Sequence, residues 1–259
     1  MTMIAPLHAD GFTHARLAHA FTTRTGGVSE GPYESLNLTW SRGDEPERVA
    51  ENRRRMAKAL GVETLVFADQ VHGDGVIQVD AAPEARWSAG EGDALITDRP
   101  GLGLCAQTAD CTPVLLFDPD RPAVGAVHDG WRGAVRGVVP AAIEAMAKAY
   151  GSRPERMQAA IGPSISRANY RVGPEVLDQF EAEFGGLEGL AGPRDDEGGA
   201  GLDVAQACRR QLAAAGVPAA RISLVAGCTY ADAERFFSSR RAAAQGHPGR
   251  FGGQCGVIA

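Results

Sequence analysis

The chain has 259 residues, of which 44% are hydrophobic and 22% charged, with a formal net charge of -6. This composition suits a globular protein with a substantial core and excludes a disordered chain, a fibre or a coiled coil. No basic block or aromatic-basic stripe is available to replace counterions along a phosphate backbone, so nucleic acid is not an expected partner.

The N-terminal stretch from Met1 to Asp10 lacks the basic start and long apolar run of a secretory signal. No segment approaches the roughly 18 apolar residues of a membrane span. Five widely spaced cysteines, an odd number, do not suggest a disulfide framework. The expectation is a cytoplasmic protein, folded as one domain over residues 1–259.

Phe21 to Arg24 reads as a strand running into the turn-rich Thr25-Gly26-Gly27-Val28-Ser29-Glu30-Gly31-Pro32. From Pro46 to Leu60, Val49, Met56 and Leu60 recur at near-helical spacing and Gly61 supplies a stop. Arg53-Arg54-Arg55 lies on this helix among Glu47, Glu51 and apolar residues. Short β-like runs follow at Leu65–Ala68, Val76–Val79, Ala94–Thr97, Leu102–Gln107, Val114–Phe117 and Val124–His128. Gly, Asp and Pro clusters separate them, as in a sheet built largely from hairpins.

After Trp131 the period changes: Val135, Val138, Val139, Ala142, Ile143 and Met146 form an apolar stripe over several turns. Met157–Ile161 is a further strand, and Gly173-Pro174-Glu175 opens a helix carrying Val176, Leu177, Phe180 and Phe184. Gly185 to Gly201, rich in glycine and acidic residues, reads as an exposed, mobile loop. A helix over Leu202–Ala215, a strand at Ile222–Val225 and a glycine-rich closing strand up to Ile258 complete the pass. Strands precede the long helix without strict βα alternation, which predicts an α+β fold with a mixed sheet.

The chemistry-bearing residues are His72 in Gln70-Val71-His72-Gly73, Cys111 in Ala109-Asp110-Cys111, and His128 in His128-Asp129-Gly130-Trp131-Arg132-Gly133. Cys111 and His128 stand 17 positions apart in the sequence, at the two ends of an expected hairpin that turns at Asp118-Pro119-Asp120. One thiolate and two imidazoles suit zinc, with a fourth position left for water or substrate. Such an ion would favour thiolate at Cys111 and acidify a bound water or hold a phosphate. Copper is an alternative for the same ligands, although no axial ligand or second cluster is evident. A nucleophilic thiol with an imidazole base, needing no metal, fits the spacing equally well.

Each of the three, taken singly, also has a plain structural reading as a buried small side chain or a hydrogen-bonded imidazole. That reading is kept for Cys105, Cys208, Cys228 and Cys255; His8, His14, His19 and His247 stay unassigned. The glycines of Thr25-Gly26-Gly27 and Trp131-Arg132-Gly133 make turns or admit an anion or planar base close to backbone amides, with Arg24, Arg53 or Arg132 supplying charge. Neither a Walker motif nor a dinucleotide fingerprint is present. The usual zinc-deaminase signature is missing too.

At these motifs the chain resembles the laccase-domain family, historically called multicopper polyphenol oxidoreductases and related to purine nucleoside phosphorylases. The resemblance runs through Thr22 to Ser29, Ser35-Leu36-Asn37-Leu38, Gln70 to Gly73, Asp93 to Thr97, Ala109 to Val114, His128 to Gly133, Ile161-Gly162-Pro163 and Phe236-Phe237-Ser238. It implies a mixed α+β sandwich with flanking helices, similar in architecture to the deamidating cysteine-hydrolase toxins. It also implies zinc held by His72, Cys111 and His128, which would form the catalytic centre, with Arg24 and Arg132 as substrate contacts. The implied reaction is phosphorolysis of adenosine, inosine, guanosine or methylthioadenosine, with adenosine deamination as a companion activity. The expected partners are thus a purine nucleoside and phosphate, with no protein partner implied.

Copper-dependent phenol oxidation and peptidoglycan-precursor editing are the alternatives the family brings. The chain departs from the family pattern at Asp129 (commonly alanine), Ser164 (often cysteine), Arg171 (usually glutamate) and Trp40-Ser41-Arg42-Gly43 (commonly His-Val-Gly). A carboxylate at Asp129 either orients the adjacent imidazole or faces solvent.

Overall fold

The computed structural model describes residues 3–83 and 88–259; the expectation placed on Met1 and Thr2 lies outside them. In chain order the elements begin with β1 (His19–Phe21), α1 (Pro46–Leu60), β2 (Thr64–Asp69), β3 (Val76–Gln78), β4 (Ser88–Glu91), β5 (Ala94–Thr97) and β6 (Leu102–Thr108). Next come β7 (Thr112–Asp118), β8 (Ala123–Asp129), α2 (Trp131–Arg136), α3 (Val138–Tyr150), β9 (Gln158–Ile161) and β10 (Arg171–Val172). The chain closes with α4 (Pro174–Phe184), β11 (Ala200–Gly201), α5 (Val204–Ala214), β12 (Ile222–Leu224), α6 (Ser239–Ala244) and β13 (Gln254–Ile258).

The fold is a mixed α+β sandwich. A five-stranded sheet, β1-β13-β6-β2-β4, faces a six-stranded one, β12-β9-β7-β8-β5-β3. Period-two alternation builds the layers. On β2 and β6, Val66, Ala68, Leu104 and Ala106 point between the sheets to meet Leu115, Phe117, Val124 and Ala126 of β7 and β8. The intervening residues point outward: Leu65, Phe67 and Cys105 pack under Met56 of α1. Val114, Leu116 and Val127 pack under α3, α4 and α5. Both faces of each sheet are therefore covered, giving a helix–sheet–sheet–helix stack.

Three readings are corrected here. The sheets are not built largely from hairpins: β7 and β8 form one, whereas β2 pairs in parallel with β4 and β6, and β3 with β5. Short apolar runs between Gly and Pro clusters fix strand ends but not partners, and β6 and β7, adjacent in sequence, lie in different sheets. The stripe after Trp131 divides into α2 and α3 at Gly137, whose φ of 80° takes the left-handed region that glycine tolerates. The loop from Gly185 to Gly201 is anchored, because Leu190 is buried, β11 pairs with β10, and Arg171 bridges Asp195 and Glu197.

Candidate metal centre and its cleft

The site forms where β6 leaves one sheet and β7 enters the other. Ala109-Asp110-Cys111 makes that crossing, and antiparallel register sets Pro113 opposite His128, so the thiol and the second imidazole meet at the sandwich edge. His72 arrives on the loop after β2 with a φ of 60°, a left-handed conformation uncommon for a side-chain-bearing residue. Such a conformation persists only where surrounding contacts over-determine it.

Asp93, buried just before β5, supplies those contacts. Its Oδ1 accepts the His72 N–H at 3.0 Å, and its Oδ2 accepts those of Val71 at 3.2 Å and Gly73 at 2.7 Å. Arg136 adds a bond to the His72 carbonyl at 2.8 Å, and Gln70 exchanges two amide bonds with the Gln107 backbone. The same Asp93 Oδ1 lies 2.8 Å from His128 Nδ1. Burial acts to raise the Asp93 pKa, but the bonds from His128 and the loop amides outweigh it and hold the carboxyl below its usual range. An ionised Asp93 requires His128 to donate from Nδ1, which leaves Nε2 for the cleft.

One donor atom from each of His72, Cys111 and His128 lies within 4.8 Å of the other two, the Cys111 Sγ to His72 Nε2 distance being 3.9 Å. The two imidazoles meet edge to face, with centroids 4.9 Å apart. Burial opposes charge on Cys111, yet His128 and His72 win and pull its thiol down to about 6. Burial likewise opposes charge on His128, and Cys111 with Asp93 drives its pKa up instead. The centre is therefore predisposed to thiolate. Gly130 closes it tightly: a Cβ there would stand 2.9 Å from Cys111 Sγ and 3.2 Å from His72 Cδ2.

The three donors form one wall of a cleft of about 610 Å³, also lined by Trp40, Arg42, Tyr170 and Arg240, within the size range of small-molecule sites. Arg24 and Arg132 are not among its lining residues. Arg24 donates to the carbonyls of Glu34 at 2.7 Å and Ala233 at 3.0 Å, with its guanidinium over Phe237. Arg132 is exposed and stacks on Trp131. Asp110 ties the crossing segment to the chain's far end, accepting from Thr229 Oγ1 at 2.6 Å and the Arg240 N–H at 2.8 Å.

Sequence reasoning gave no role to Asp93 or Arg42. The legible sign of Asp93 was a carboxylate at the head of the apolar run Ala94-Leu95-Ile96-Thr97, where burial demands compensation.

Asp129 takes neither of its expected positions. Strand alternation turns it away from His128 into the helical layer, where Oδ2 accepts from Cys208 Sγ at 3.0 Å and Oδ1 has no partner among the described residues. Burial pushes its pKa up to about 7. The folded chain thus binds this proton more tightly than the unfolded one, so stability falls as pH rises from about 4 to about 7. Asp129→Ala is expected to unfold later than the parent in urea at pH 8, by up to about 4 kcal/mol. The gap should narrow towards pH 4; an equal gap at both pH values would contradict the sign.

Residues 18–259 match the family model described as "Multi-copper polyphenol oxidoreductase laccase". A Deinococcus radiodurans protein named purine nucleoside phosphorylase is 46% identical over 229 residues, covering 88% of this chain and 85% of its own. A Bacteroides thetaiotaomicron protein of the same name is 37% identical over 238 residues, covering 88% of each. Among solved structures, Bacillus licheniformis hypothetical protein YfiH superposes with a TM-score of 0.87 at 32% identity, covering 94% of this chain and 92% of that one. YlmD from Geobacillus stearothermophilus gives a TM-score of 0.82 at 32% identity, covering 95% and 92%.

Proposed function

We propose that this chain, which belongs to the multi-copper polyphenol oxidoreductase laccase family, is a zinc-dependent purine nucleoside phosphorylase with companion adenosine deaminase activity. The observation that carries the reading is the convergence of one thiol and two imidazoles on the wall of a nucleoside-sized cleft. The name shared by the Deinococcus and Bacteroides relatives supports the reaction type.

The donor set fits the metal. Tetrahedral zinc, with bonds of about 2.0–2.3 Å, separates its ligand atoms by roughly 3.3–3.8 Å. The Cys111–His72 distance of 3.9 Å is already close to that range. His72, Cys111 and His128 would hold the ion, which would supply Lewis-acid stabilisation of developing negative charge when bound.

The chain's own residues do the remaining work. Asp93 fixes the His128 tautomer and, through three backbone amides, the placement of His72. Trp40 and Tyr170 line the cleft as aromatic partners for a purine, with Arg53 over the first ring and Arg240 over the second. Burial pushes the Tyr170 phenol up to about 12, so it keeps its proton and can donate to a base nitrogen or oxygen. Of the two arginines expected as substrate contacts, Arg132 acts on the cleft only through its charge, which reaches Tyr170, and Arg24 is spent on the Glu34 and Ala233 carbonyls. In phosphorolysis a phosphate oxygen bonds to the ribose anomeric carbon as the glycosidic carbon–nitrogen bond breaks, and the departing purine takes a proton.

Copper-dependent phenol oxidation draws support from the family's description and from the His/His/Cys set. The described residues contain this one three-donor group and no second. We place residues 1–259 in one catalytic domain and the protein in the cytoplasm. Five free cysteines support the latter, and no helix among the described residues is long and apolar enough to cross a membrane.

A nucleoside panel, incubated with and without phosphate and resolved by chromatography, tests the reaction. Free base and ribose-1-phosphate are expected only with phosphate, and inosine from adenosine in either case. Base release without phosphate overturns phosphorolysis, and phenol turnover by copper-loaded protein with no nucleoside cleavage favours the alternative.

A further inference from the structure

We infer that Arg42 anchors a phosphate-binding subsite in the cleft, its guanidinium receiving the oxygens of a phosphate beside the His72/Cys111/His128 centre. The inference rests on the phosphorolysis reading and adds a residue and a position that neither the family likeness nor the relatives' names assign.

Arg42 differs from the other arginines lining the cleft. Arg53 gives both Nε and Nη2 to the Leu38 carbonyl, and Arg240 gives Nη1 to the Arg171 carbonyl. The Nη1 of Arg42 is shut off from water and has no hydrogen-bond partner among the described residues. A buried Nη1 left unsatisfied is costly, and the cost is relieved when an acceptor in the cleft takes its N–H. The neighbouring carboxylates are committed elsewhere. Asp44 Oδ2 accepts from Ser29 and Asn37, and Asp110 accepts from Thr229 and the Arg240 amide.

The group is also held in place. Its guanidinium lies over the Phe251 ring, 3.9 Å from the centroid, which fixes the plane of the fork. The Tyr33 hydroxyl donates to the Arg42 carbonyl at 2.5 Å, and Gly43 turns with a φ of 88°. A planar fork anchored on an aromatic face matches two oxygens of a phosphate better than a point charge would. Arg42 lines the same cleft as Cys111 and His128, so a phosphate on it shares that cavity with a bound nucleoside. The residue lies in Trp40-Ser41-Arg42-Gly43, just before the Asp44 that Ser29 and Asn37 hold.

The test uses zinc-loaded protein and two probes, inorganic phosphate and adenosine 5'-monophosphate, with binding followed by calorimetry. Arg42→Gln keeps much of the packing on Phe251 and removes the charge; Arg42→Lys keeps the charge and removes the fork. Arg42→Gln is expected to weaken phosphate binding about ten-fold or more, with Arg42→Lys intermediate. In turnover, KM for phosphate should rise in parallel while KM for the nucleoside and zinc content stay unchanged. If only adenosine 5'-monophosphate depends on Arg42, the subsite stands but takes the phosphate of a nucleotide. Phosphate and nucleotide affinities both within two-fold of the parent in Arg42→Gln would overturn it. The two readings fail separately. Arg42-dependent phosphate binding without nucleoside cleavage sinks phosphorolysis alone, and phosphorolysis with both the phosphate KM and the nucleotide affinity unchanged in Arg42→Gln sinks this inference alone.

Discussion

Cys111→Ala is expected to lose stoichiometric zinc and more than about 100-fold of nucleoside turnover, because even partners one bond removed from a metal typically contribute 10–100-fold. The thiolate is the softest of the three donors and the one the site prepares most strongly, with its thiol drawn down by two imidazoles despite burial. Two imidazoles alone leave a much weaker site. The fold should survive, since Cys111 lies at a cleft wall and is not a member of the apolar clusters between and outside the sheets. Metal analysis and turnover on the same purified sample check both halves. Full turnover by a metal-free Cys111→Ala protein would remove the centre from the mechanism, and a cellular role that persisted without turnover would point to a noncatalytic function.

Asp93 carries the second large effect. One carboxylate accepts from three successive backbone amides and from His128. Asp93→Ala strands all four donors in a buried setting and is expected to cost about 3–5 kcal/mol of stability, the range seen when a buried ionic partner is removed. Asp93→Asn separates positioning from folding. Its carbonyl can still accept from part of the loop, but its amide nitrogen cannot, and the negative charge opposite His128 is gone. Zinc affinity should fall about 10–100-fold in Asp93→Asn with a smaller loss of stability. Urea unfolding of the metal-free forms and zinc competition titration provide the two readouts. Parent-like zinc affinity in Asp93→Asn would show that Asp93 only braces the loop.

The electrostatics of the site follow from the same arrangement. Cys111 and His128 favour each other's charged forms, and Asp93 stabilises the imidazolium when no metal is bound. Binding a cation would displace the proton from His128 Nε2 while Nδ1 stays bonded to Asp93, so metal uptake should be proton-coupled.

Much of this molecule is legible in the amino-acid sequence alone. Short apolar runs between Gly, Asp and Pro clusters marked the strands, the 3.6 period marked α1, α3 and α4, and the 17-position spacing from Cys111 to His128 marked the one hairpin that places a thiol near an imidazole. These features are local, set by the pleat of a strand, the turn of a helix and the chemistry of Gly, Pro and Asp. What the sequence left open was pairing and direction. Both faces of each sheet are apolar, so alternation could not tell inside from outside, and it could not say that Asp129 turns into the helical layer instead of towards the imidazole or solvent. Strand partners such as β2 with β6 and β6 with β13 are chosen by long-range packing, which no short window records. Tertiary structure alone brought His72 across from another sheet, gave Asp93 its four donors and left Arg42 Nη1 without a partner among the described residues, on the cleft that holds the thiol. Each of these depends on where distant backbone amides, carbonyls and rings come to rest, and that is a property of the packed chain.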